Sequence, residues 1–437
     1  MVQGRFRAAV SPVRRRFDAP PAVLPTVNEV IAASSPGDPV HCIRPRTITE
    51  AASAFVASFP GDVLYAVKCN PDPRVLRVLW GAGVRHFDCA SAAEVALVRR
   101  MFPAADIHFM HPVKARAAIR EAWADQGVRD FSFDSQDELA KILAETGAGR
   151  ASGGAGAPAD LGLLVRLAVA NDGALHDLSG KFGAAPAEAA ALLAAARPYA
   201  RRLGVCFHVG SQCLDPAAWA KALAAAAQVV AQAGVPIEVI DVGGGFPAAY
   251  VDTAPPPLAA FFAAITGEIA RQPHLQGARL WAEPGRALVA DGVSVVVQVL
   301  HRRGDVLYIN DGVYGSLSDA GRPGLLFPAR LIAHDDRLPS PAEQAFQFYG
   351  PTCDSLDFMP GPFALPADVR EGDWIEIGQL GAYGAALRTA FNGFDRAQLV
   401  EVRDDAFFAA GSDDQCTRMT TPALQPARAA LQPQPHK

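Results

Sequence analysis

The sequence lacks any hydrophobic run long enough to cross a membrane. Apolar runs such as residues 293–300 are far shorter than the roughly 20 residues that a spanning helix needs. The arginines between Arg5 and Arg16 are not followed by an apolar stretch, so no secretory signal is predicted. We therefore expect no membrane span and no secretion.

The sequence also lacks a large excess of either positive or negative charge. Lys and Arg together number 40, Asp and Glu number 45, and the formal net charge is only −5. Because both signs are spread along the chain, no basic surface for a phosphate backbone is predicted. Nucleic acid is not an expected partner.

Paired cysteines are also missing. The seven cysteines are scattered and show none of the C-x-x-C spacings that zinc and redox sites use. We therefore predict no metal site and expect a reduced, cytoplasmic protein.

What is present indicates two domains. The 437 residues are half apolar, which is enough for sizeable cores. Across residues 39–286, strand-like runs alternate with segments of helical period, which predicts an α/β fold with a TIM-like (β/α)8 barrel. The strand-like runs in this region include residues 63–67, 107–110, 163–167, 204–208 and 237–241.

The remainder of the chain has a different texture. Strand-like runs without long helices follow the barrel region and predict a C-terminal β-sandwich or β-barrel domain over residues 287–416. Residues 1–38 form an N-terminal segment that is expected to be partly disordered, and residues 417–437 form a tail expected to be disordered. A Gly/Ala-rich surface loop is predicted at residues 147–159.

Lys68 is the first candidate for chemistry. It lies in Tyr65-Ala-Val-Lys-Cys-Asn70, at the end of an apolar strand. Active sites of β/α barrels lie at the carboxyl ends of strands, so this side chain is expected to point into the site. We expect burial to lower the pKa of Lys68, which suits imine formation with an aldehyde cofactor. A solvated surface lysine is the alternative.

Two later motifs indicate a phosphate and a ring-binding site. The glycines of Asp241-Val-Gly-Gly-Gly-Phe-Pro247 leave backbone N–H groups free to surround a phosphate, although the spacing is not that of the dinucleotide fingerprint. In Ala282-Glu-Pro-Gly-Arg286, the guanidinium suits phosphate, and Glu283 can hold a proton on a pyridine nitrogen. The alternatives are that the glycines form only a turn and that Glu283 and Arg286 form only a surface ion pair.

The remaining candidates are single residues near strand ends or turns. His208 could stack on a planar ring, and Ser211 and Tyr383 could donate to phosphate. Cys353 lies beside Asp354, and because an adjacent carboxylate favours the protonated thiol, Cys353 suits a proton donor. The alternatives are that His208 is a histidine of the core and that Cys353 is a buried structural cysteine.

Eight ordered motifs together resemble the eukaryotic-type ornithine decarboxylases and their relatives, the diaminopimelate and arginine decarboxylases. The motifs lie between about residues 39 and 394 and read YAVKCN, FDCAS, HVGSQC, DVGGGFP, AEPGR, NDGVYGS, GPTCDSLD and GAY with FNGF. The resemblance implies an alanine-racemase-like barrel of fold type III that binds pyridoxal 5′-phosphate. It also implies a C-terminal β domain that part of the N-terminal segment joins.

The resemblance also implies a role for each matching residue. Lys68, Cys353, His208 and Glu283 would be catalytic, with Lys68 carrying the cofactor and Cys353 donating a proton. The implied cofactor-binding residues are Lys68, Asp88, Arg166, His208, Ser211, Gly244, Gly245, Glu283, Pro284, Gly285, Arg286 and Tyr383, with Glu94 nearby. Asp354 and Phe391 would bind substrate. Because the Cys-Asp pair comes from the partner subunit in this family, a homodimer with shared active sites is implied.

The implied activity is decarboxylation of a basic L-amino acid, first of all ornithine to putrescine in polyamine biosynthesis. One departure keeps the substrate open: the Tyr-Asp pair that grips the distal amine of ornithine is replaced by Leu326-Phe-Pro-Ala-Arg330, and Asp319 does not align with it. Lysine, which would give cadaverine, arginine and diaminopimelate remain alternatives. So do an amino-acid racemase and a non-catalytic binding protein.

Overall fold

The computed structural model describes residues 23–148, 160–170, 174–176, 180–322, 324–335 and 337–408. The first 22 residues of the predicted N-terminal segment, most of the predicted Gly/Ala-rich loop and the predicted tail lie outside these ranges. Within them, no helix is long and apolar enough to cross a membrane.

Eight parallel strands close into a barrel, which confirms the predicted fold. In their order around the barrel they are β2 (Asp62–Ala66), β3 (His86–Cys89), β4 (Asp106–Phe109), β5 (Asp130–Phe133), β6 (Gly162–Arg166), β8 (Arg202–Cys206), β10 (Val239–Asp241) and β11 (Arg279–Ala282). Two further short strands, β7 (Ala174–His176) and β9 (Ser211–Cys213), pair with each other.

Helices connect the barrel strands. They are α2 (Pro45–Ser58), α3 (Pro73–Gly81), α4 (Ala92–Met101), α5 (Arg116–Ala124), α6 (Gln136–Thr146), α7 (Pro186–Ala196), α8 (Ala217–Ala233), α9 (Leu258–Arg271) and α10 (Arg286–Val289). Local sequence explains several of their starts. Pro73 occupies the first turn of α3, and Ser91 and Ser135 cap α4 and α6 by accepting from backbone N–H groups.

Successive side chains of a barrel strand point alternately into the barrel and toward the helices, which gives two hydrophobic cores. Leu64 of β2, Leu164 of β6 and Trp281 of β11 belong to one cluster that fills the inside of the barrel. Tyr65 has the opposite parity and joins the large core between barrel and helices. Val67, directly after β2, also joins the large core, whereas Lys68, one residue later, lies at the mouth of the barrel.

A second domain is an eight-stranded sheet. Its strands are β1 (Val40–Ile43), β12 (Val293–Arg303), β13 (Val306–Ile309), β14 (Ala329–Ile332), β15 (Glu343–Tyr349), β16 (Phe358–Pro366), β17 (Trp374–Ile377) and β18 (Gln398–Glu401). A short helix, α11 (Ser318–Gly321), lies between β13 and β14.

The N-terminal part of the described chain belongs to this sheet. β1 pairs antiparallel with β12 and parallel with β18, and α1 (Val27–Ser34) packs Val27 and Ile31 against the same sheet. The sequence prediction had assigned residues 39–286 to the barrel, whereas β1 lies in the sheet. Its four residues are all buried, and this apolar pattern suits a central strand of either domain.

Candidate active site

A cavity opens at the carboxyl ends of the barrel strands and encloses about 340 Å³, its open mouth included. The residues that line it come from the carboxyl ends of four barrel strands and the segments that follow them, from β9 and from the sheet domain. They are Ala66, Lys68, His208, Ser211, Gln212, Gly244, Gly245, Phe246, Glu283, Gly285, Arg286 and Tyr383. Most of the predicted cofactor-binding residues are therefore brought together in one place.

Lys68 lies two residues after the end of β2 and lines this cavity. Its side chain is 45% exposed, and its Nζ lies 3.9 Å from Oδ2 of the buried Asp88. Burial acts to lower the pKa of Lys68, but the attraction of Asp88 and Glu283 outweighs it, so the pKa is raised. The expectation of a lowered pKa is therefore wrong for the protein without a cofactor, because the carboxyl groups of Asp88 and Glu283 lie near the ammonium.

Two acids meet where β10 and β11 lie side by side. Asp241 ends β10 and Glu283 follows β11, and both side chains are buried. Burial, and next the charge of Asp241, raise the pKa of Glu283 to about 8. Its Oε1 has no hydrogen-bond partner in the described part of the chain. A cationic group beside Glu283 would satisfy this oxygen and lower the pKa again.

Sequence reasoning assigned no role to Asp241. The Gly243 N–H donates to Asp241 Oδ1 at 2.8 Å, which fixes the carboxyl group against the glycine turn. Burial raises the pKa of Asp241 to about 6. The available signal was its position at a strand end, immediately before the glycines.

His208 presents a neutral ring to the cavity. The Gly210 N–H donates to His208 Nδ1 at 3.0 Å, so that nitrogen is an acceptor. Burial, and next the charge of Arg166, lower the pKa of His208 well below its usual value. A Cβ at Gly244 would lie 3.0 Å from His208 Nε2 and 2.7 Å from the Glu283 carbonyl oxygen, so only glycine fits between them.

The neighbouring glycines bring backbone close to the cavity. A Cβ at Gly245, whose φ is +97°, would lie 2.5 Å from the Gly210 carbonyl oxygen. A Cβ at Gly285 would lie 2.9 Å from Cys69 Cβ. Tyr383 also has positive φ, +60°, and its N–H donates to the Cys69 carbonyl at 2.9 Å. The resulting concave wall of backbone and small groups suits an anion.

Arg286 lies at the end of this wall with its side chain buried. Its Nη1 donates to the Tyr250 hydroxyl at 2.6 Å, and its Nη2 donates to Asp319 Oδ2 at 3.1 Å. Its Nε has no partner among the described residues. Sequence analysis gave Tyr250 no role and considered Asp319 only for the substrate, because Tyr250 lies well beyond the end of β10 and Asp319 lies outside the barrel.

Four further predicted residues surround the cavity without lining it. Asp88 lies in β3, and burial, followed by the charge of Glu283, raises its pKa to about 7. Arg166 ends β6, and its charge acts to lower the pKa of Asp88 and of Glu283. The Pro284 carbonyl accepts from the Ala66 N–H at 3.1 Å, and Glu94 Oε2 accepts from the Ala90 N–H at 2.7 Å.

Cys353, Asp354 and Phe391 are not brought to this cavity within one chain. Cys353 is exposed, and its N–H donates to Asn392 Oδ1 at 3.1 Å. Asp354 accepts from the Tyr314 hydroxyl, and the Phe391 ring centroid lies 4.9 Å from that of Tyr314. The three residues lie beside a smaller cavity of the sheet domain, which Phe391 and Tyr314 help to line.

A pyridoxal phosphate fits the main cavity on chemical grounds. The orphaned Oε1 of Glu283 suits a protonated ring nitrogen, the orphaned Nε of Arg286 suits a phosphate, and Lys68 supplies the amine. A parallel barrel with these three groups at one mouth defines a pyridoxal-phosphate-dependent enzyme.

Comparison with known proteins gives the family. The family model for the pyridoxal binding domain of pyridoxal-dependent decarboxylases matches residues 45–290, and that for their C-terminal sheet domain matches residues 287–381. The chain belongs to the pyridoxal-dependent decarboxylases. It is 34% identical to the lysine/ornithine decarboxylase of Selenomonas ruminantium over 80% of this chain and 85% of that protein. It is 33% identical to the ornithine decarboxylase of Schizosaccharomyces pombe over 78% of each.

Solved structures agree with this assignment. The lysine/ornithine decarboxylase of Vibrio vulnificus, complexed with putrescine, has a TM-score of 0.72 at 31% identity and covers 87% of this chain and 99% of its own. The arginine decarboxylase of Paramecium bursaria Chlorella virus, bound to agmatine, has a TM-score of 0.74 at 27% identity and covers 86% and 99%. Fold, cofactor and enzyme class are thus as predicted.

Proposed function

We propose that this decarboxylase acts on a basic L-amino acid, with ornithine as the first candidate and putrescine as its product. The observation that carries the proposal is the convergence of Lys68, Glu283 and Arg286 on one cavity. The similar proteins named above, which include lysine/ornithine, ornithine and arginine decarboxylases, support a basic substrate. Polyamine biosynthesis is the pathway class that would use such a product.

Some residues of the cavity would bind the cofactor, and others would hold or transfer protons. Pyridoxal phosphate, when bound, supplies an aldehyde for an amino group and a ring that accepts the electrons left by a departing carboxylate. Lys68 would carry the cofactor, and the nearby Asp88 can receive its proton. Glu283 would keep a proton on the ring nitrogen. The neutral His208 can lie flat on the ring without opposing that charge.

Other residues of the cavity would bind the phosphate. Arg286 would contribute charge and the glycines backbone N–H groups, with Ser211 and Tyr383 as further donors. Because the phosphate is held far from the reacting carbon, its binding energy can orient the rest of the cofactor.

The protein is proposed to work as a homodimer. Cys353 and Asp354 would enter the cavity of the other subunit, where the thiol returns a proton to the product carbon and the carboxylate pairs with a distal ammonium. Tyr314 donates to Asp354 and Phe391 lies against Tyr314, so the acid is already held in one orientation. A reducing cytoplasm is the proposed location, in keeping with the six free cysteines of the described residues.

Release of carbon dioxide from ornithine, lysine, arginine and meso-diaminopimelate tests the proposal. We expect turnover of a basic substrate by the wild type, none by Lys68→Ala, and the fastest turnover with ornithine. Assays in deuterated water separate the rivals: exchange at the α-carbon without carbon dioxide would indicate a racemase. A protein that takes up no added cofactor would indicate a binding role.

Mixed dimers test the sharing of sites. Lys68→Ala and Cys353→Ala would each be inactive alone, because each breaks both sites of a homodimer. Co-refolded mixtures should recover about a quarter of wild-type activity, since half of randomly paired dimers are heterodimers with one intact site. If the mixture stays inactive while each variant still forms dimers, the shared site is refuted.

A further inference from the structure

The Arg286 guanidinium is held from two sides before any ligand arrives. Tyr250 accepts from Nη1 and Asp319 accepts from Nη2, and the rings of Tyr250 and Tyr383 lie 5.8 and 5.2 Å from the guanidinium carbon. A guanidinium has five N–H donors, so two are engaged and three remain, Nε among them. The engaged donors lock the orientation of those that remain.

Each of the two acceptors is itself fixed. Asp319 lies in α11, and its carbonyl accepts from the Leu325 N–H at 2.9 Å, which ties this helix to the following segment. The Tyr250 backbone exchanges hydrogen bonds with Thr253 at 2.9 and 3.0 Å. The backbone that carries each acceptor is therefore fixed, so the fold defines the positions from which both side chains reach Arg286.

The stretch that replaces the Tyr-Asp pair supports this arrangement. Phe327 is buried and packs edge-on against the Tyr250 ring, with centroids 5.4 Å apart. The Leu326 carbonyl accepts from the Val251 N–H at 3.2 Å. Arg330 is paired with Glu376 on the other side of the stretch. Residues 326–330 therefore hold in place the segment between β10 and α9 that carries Tyr250.

We propose that Asp319 and Tyr250 are positioning residues that orient Arg286 for the cofactor phosphate, and that Asp319 does not serve the substrate. The inference rests on the proposed role of Arg286 as the phosphate ligand. A buried guanidinium without acceptors would be costly and free to rotate, whereas one that is already oriented loses little freedom when the phosphate binds. Asp319 repels the phosphate, but its pairing with Arg286 offsets part of that repulsion and keeps the guanidinium in place.

Binding of two forms of the cofactor to the apoprotein isolates the phosphate contribution. Pyridoxal phosphate and pyridoxal both reach Lys68, but only the first has a phosphate. Equilibrium titration followed by the visible absorbance of the bound cofactor gives both affinities. Asp319→Ala should weaken binding of pyridoxal phosphate roughly 10- to 100-fold, the effect of one lost hydrogen bond to a charged group, and leave pyridoxal unchanged.

Companion variants show whether the effect passes through Arg286. Tyr250→Phe should weaken pyridoxal phosphate binding several-fold, and Asp319→Asn, which keeps an acceptor, should stay near the wild type. In an Arg286→Ala background, Asp319→Ala should add nothing, because the group it orients is gone. The control Asp252→Ala removes an exposed charge near Tyr250 and should have no effect.

Several results would overturn the inference. Equal losses for pyridoxal phosphate and pyridoxal in Asp319→Ala would indicate a general structural role. Unchanged or tighter binding of pyridoxal phosphate would show that repulsion by Asp319 dominates. If Arg286→Ala itself fails to separate the two forms, the proposed phosphate role of Arg286 fails instead, and the two failures are thereby distinguished.

Discussion

Glu283, like Asp88 and Asp241, carries an electrostatic cost at the candidate active site, because its carboxyl group is buried. Its carboxyl group is buried beside Asp241 and has a pKa raised to about 8, against an ordinary value of 4.5. Between these values the folded protein holds a proton that the unfolded chain releases. The stability that this group contributes is therefore fully present below about 4.5 and is lost as the pH rises toward 8.

A substitution at Glu283 makes this cost measurable. In the apoprotein, Glu283→Gln should raise the midpoint of thermal unfolding at pH 8, and the gain should shrink toward pH 6, because glutamine holds no titrating proton. About 1 °C per kcal/mol is expected for a chain of this size, because the unfolding entropy grows with the number of residues. The same variant should lose roughly 10²- to 10³-fold in kcat, since glutamine cannot keep the ring nitrogen charged. A gain that does not vary with pH would contradict the argument.

Residue roles differ in how far sequence could predict them. Lys68, Glu283 and Arg286 were predicted because each follows a strand in a motif with its own chemistry. The raised pKa of Lys68 was not, since it depends on Asp88 and Glu283, which stand on other strands. The effect of one charged group on the pKa of another depends on their distance in space, and the spacing of motifs along the sequence does not give that distance.

At the scale of elements, the end of the barrel opposite the cavity is closed by charged and imidazole groups. His86 begins β3, and its Nδ1 lies 3.1 Å from Nε2 of His108 in β4. His108 Nδ1 lies 3.1 Å from Asp130 Oδ2, and Arg202 pairs with the same carboxylate at 2.9 Å. Burial, and next the neighbouring His108, lower the pKa of His86.

This arrangement predicts sensitivity to acid. Because the pKa of His86 is lowered in the folded state, the unfolded chain takes up a proton first as the pH falls below about 6.5, and stability drops. His86→Gln should therefore lose less stability than the wild type between pH 7 and pH 5, by about 1 kcal/mol, in urea unfolding. The matched control is His274→Gln, an exposed histidine, which should follow the wild type. Identical acid losses in all three proteins would refute the prediction.

The barrel also contains strands that the sequence analysis did not identify. β3 and β5 were not among the strand-like runs that the sequence analysis identified, although β2, β4, β6, β8 and β10 were. His86–Cys89 and Asp130–Phe133 each carry polar residues within four positions, so they lack an apolar run. Their polar groups are satisfied only inside the closed barrel, by residues from other strands.

At the scale of the whole molecule, exposed apolar side chains lie in two segments, one that contains Cys353 and one that contains Asn392. Leu356, Leu387, Phe391 and Phe394 are between 44% and 69% exposed. The segments that carry them are joined by the Cys353 to Asn392 hydrogen bond. A surface of this kind next to the proposed proton donor is consistent with the proposed subunit contact.

A charge placed on this surface should break the proposed dimer. Phe394→Asp is expected to elute as a monomer in size-exclusion chromatography with light scattering and to lose activity, because the thiol no longer reaches the other subunit. Leu338→Asp is the control, since Leu338 is 92% exposed on a different loop and should leave both dimer and activity intact. A fully active Phe394→Asp monomer would exclude shared active sites.

The amino-acid sequence by itself determined the barrel, the sheet domain, the family resemblance and the residue types of the cavity. Each of these is expressed locally, as a period of apolar residues or as a short motif at a strand end. The tertiary structure alone decided that Asp319 pairs with Arg286, that Asp241 lies beside Glu283 and that Cys353 lies away from the Lys68 of its own chain. The two pairings join residues far apart in the chain, and only the closure of the barrel and the docking of the sheet bring those side chains together. The separation of Cys353 from Lys68 likewise depends on where the folded sheet domain places Cys353.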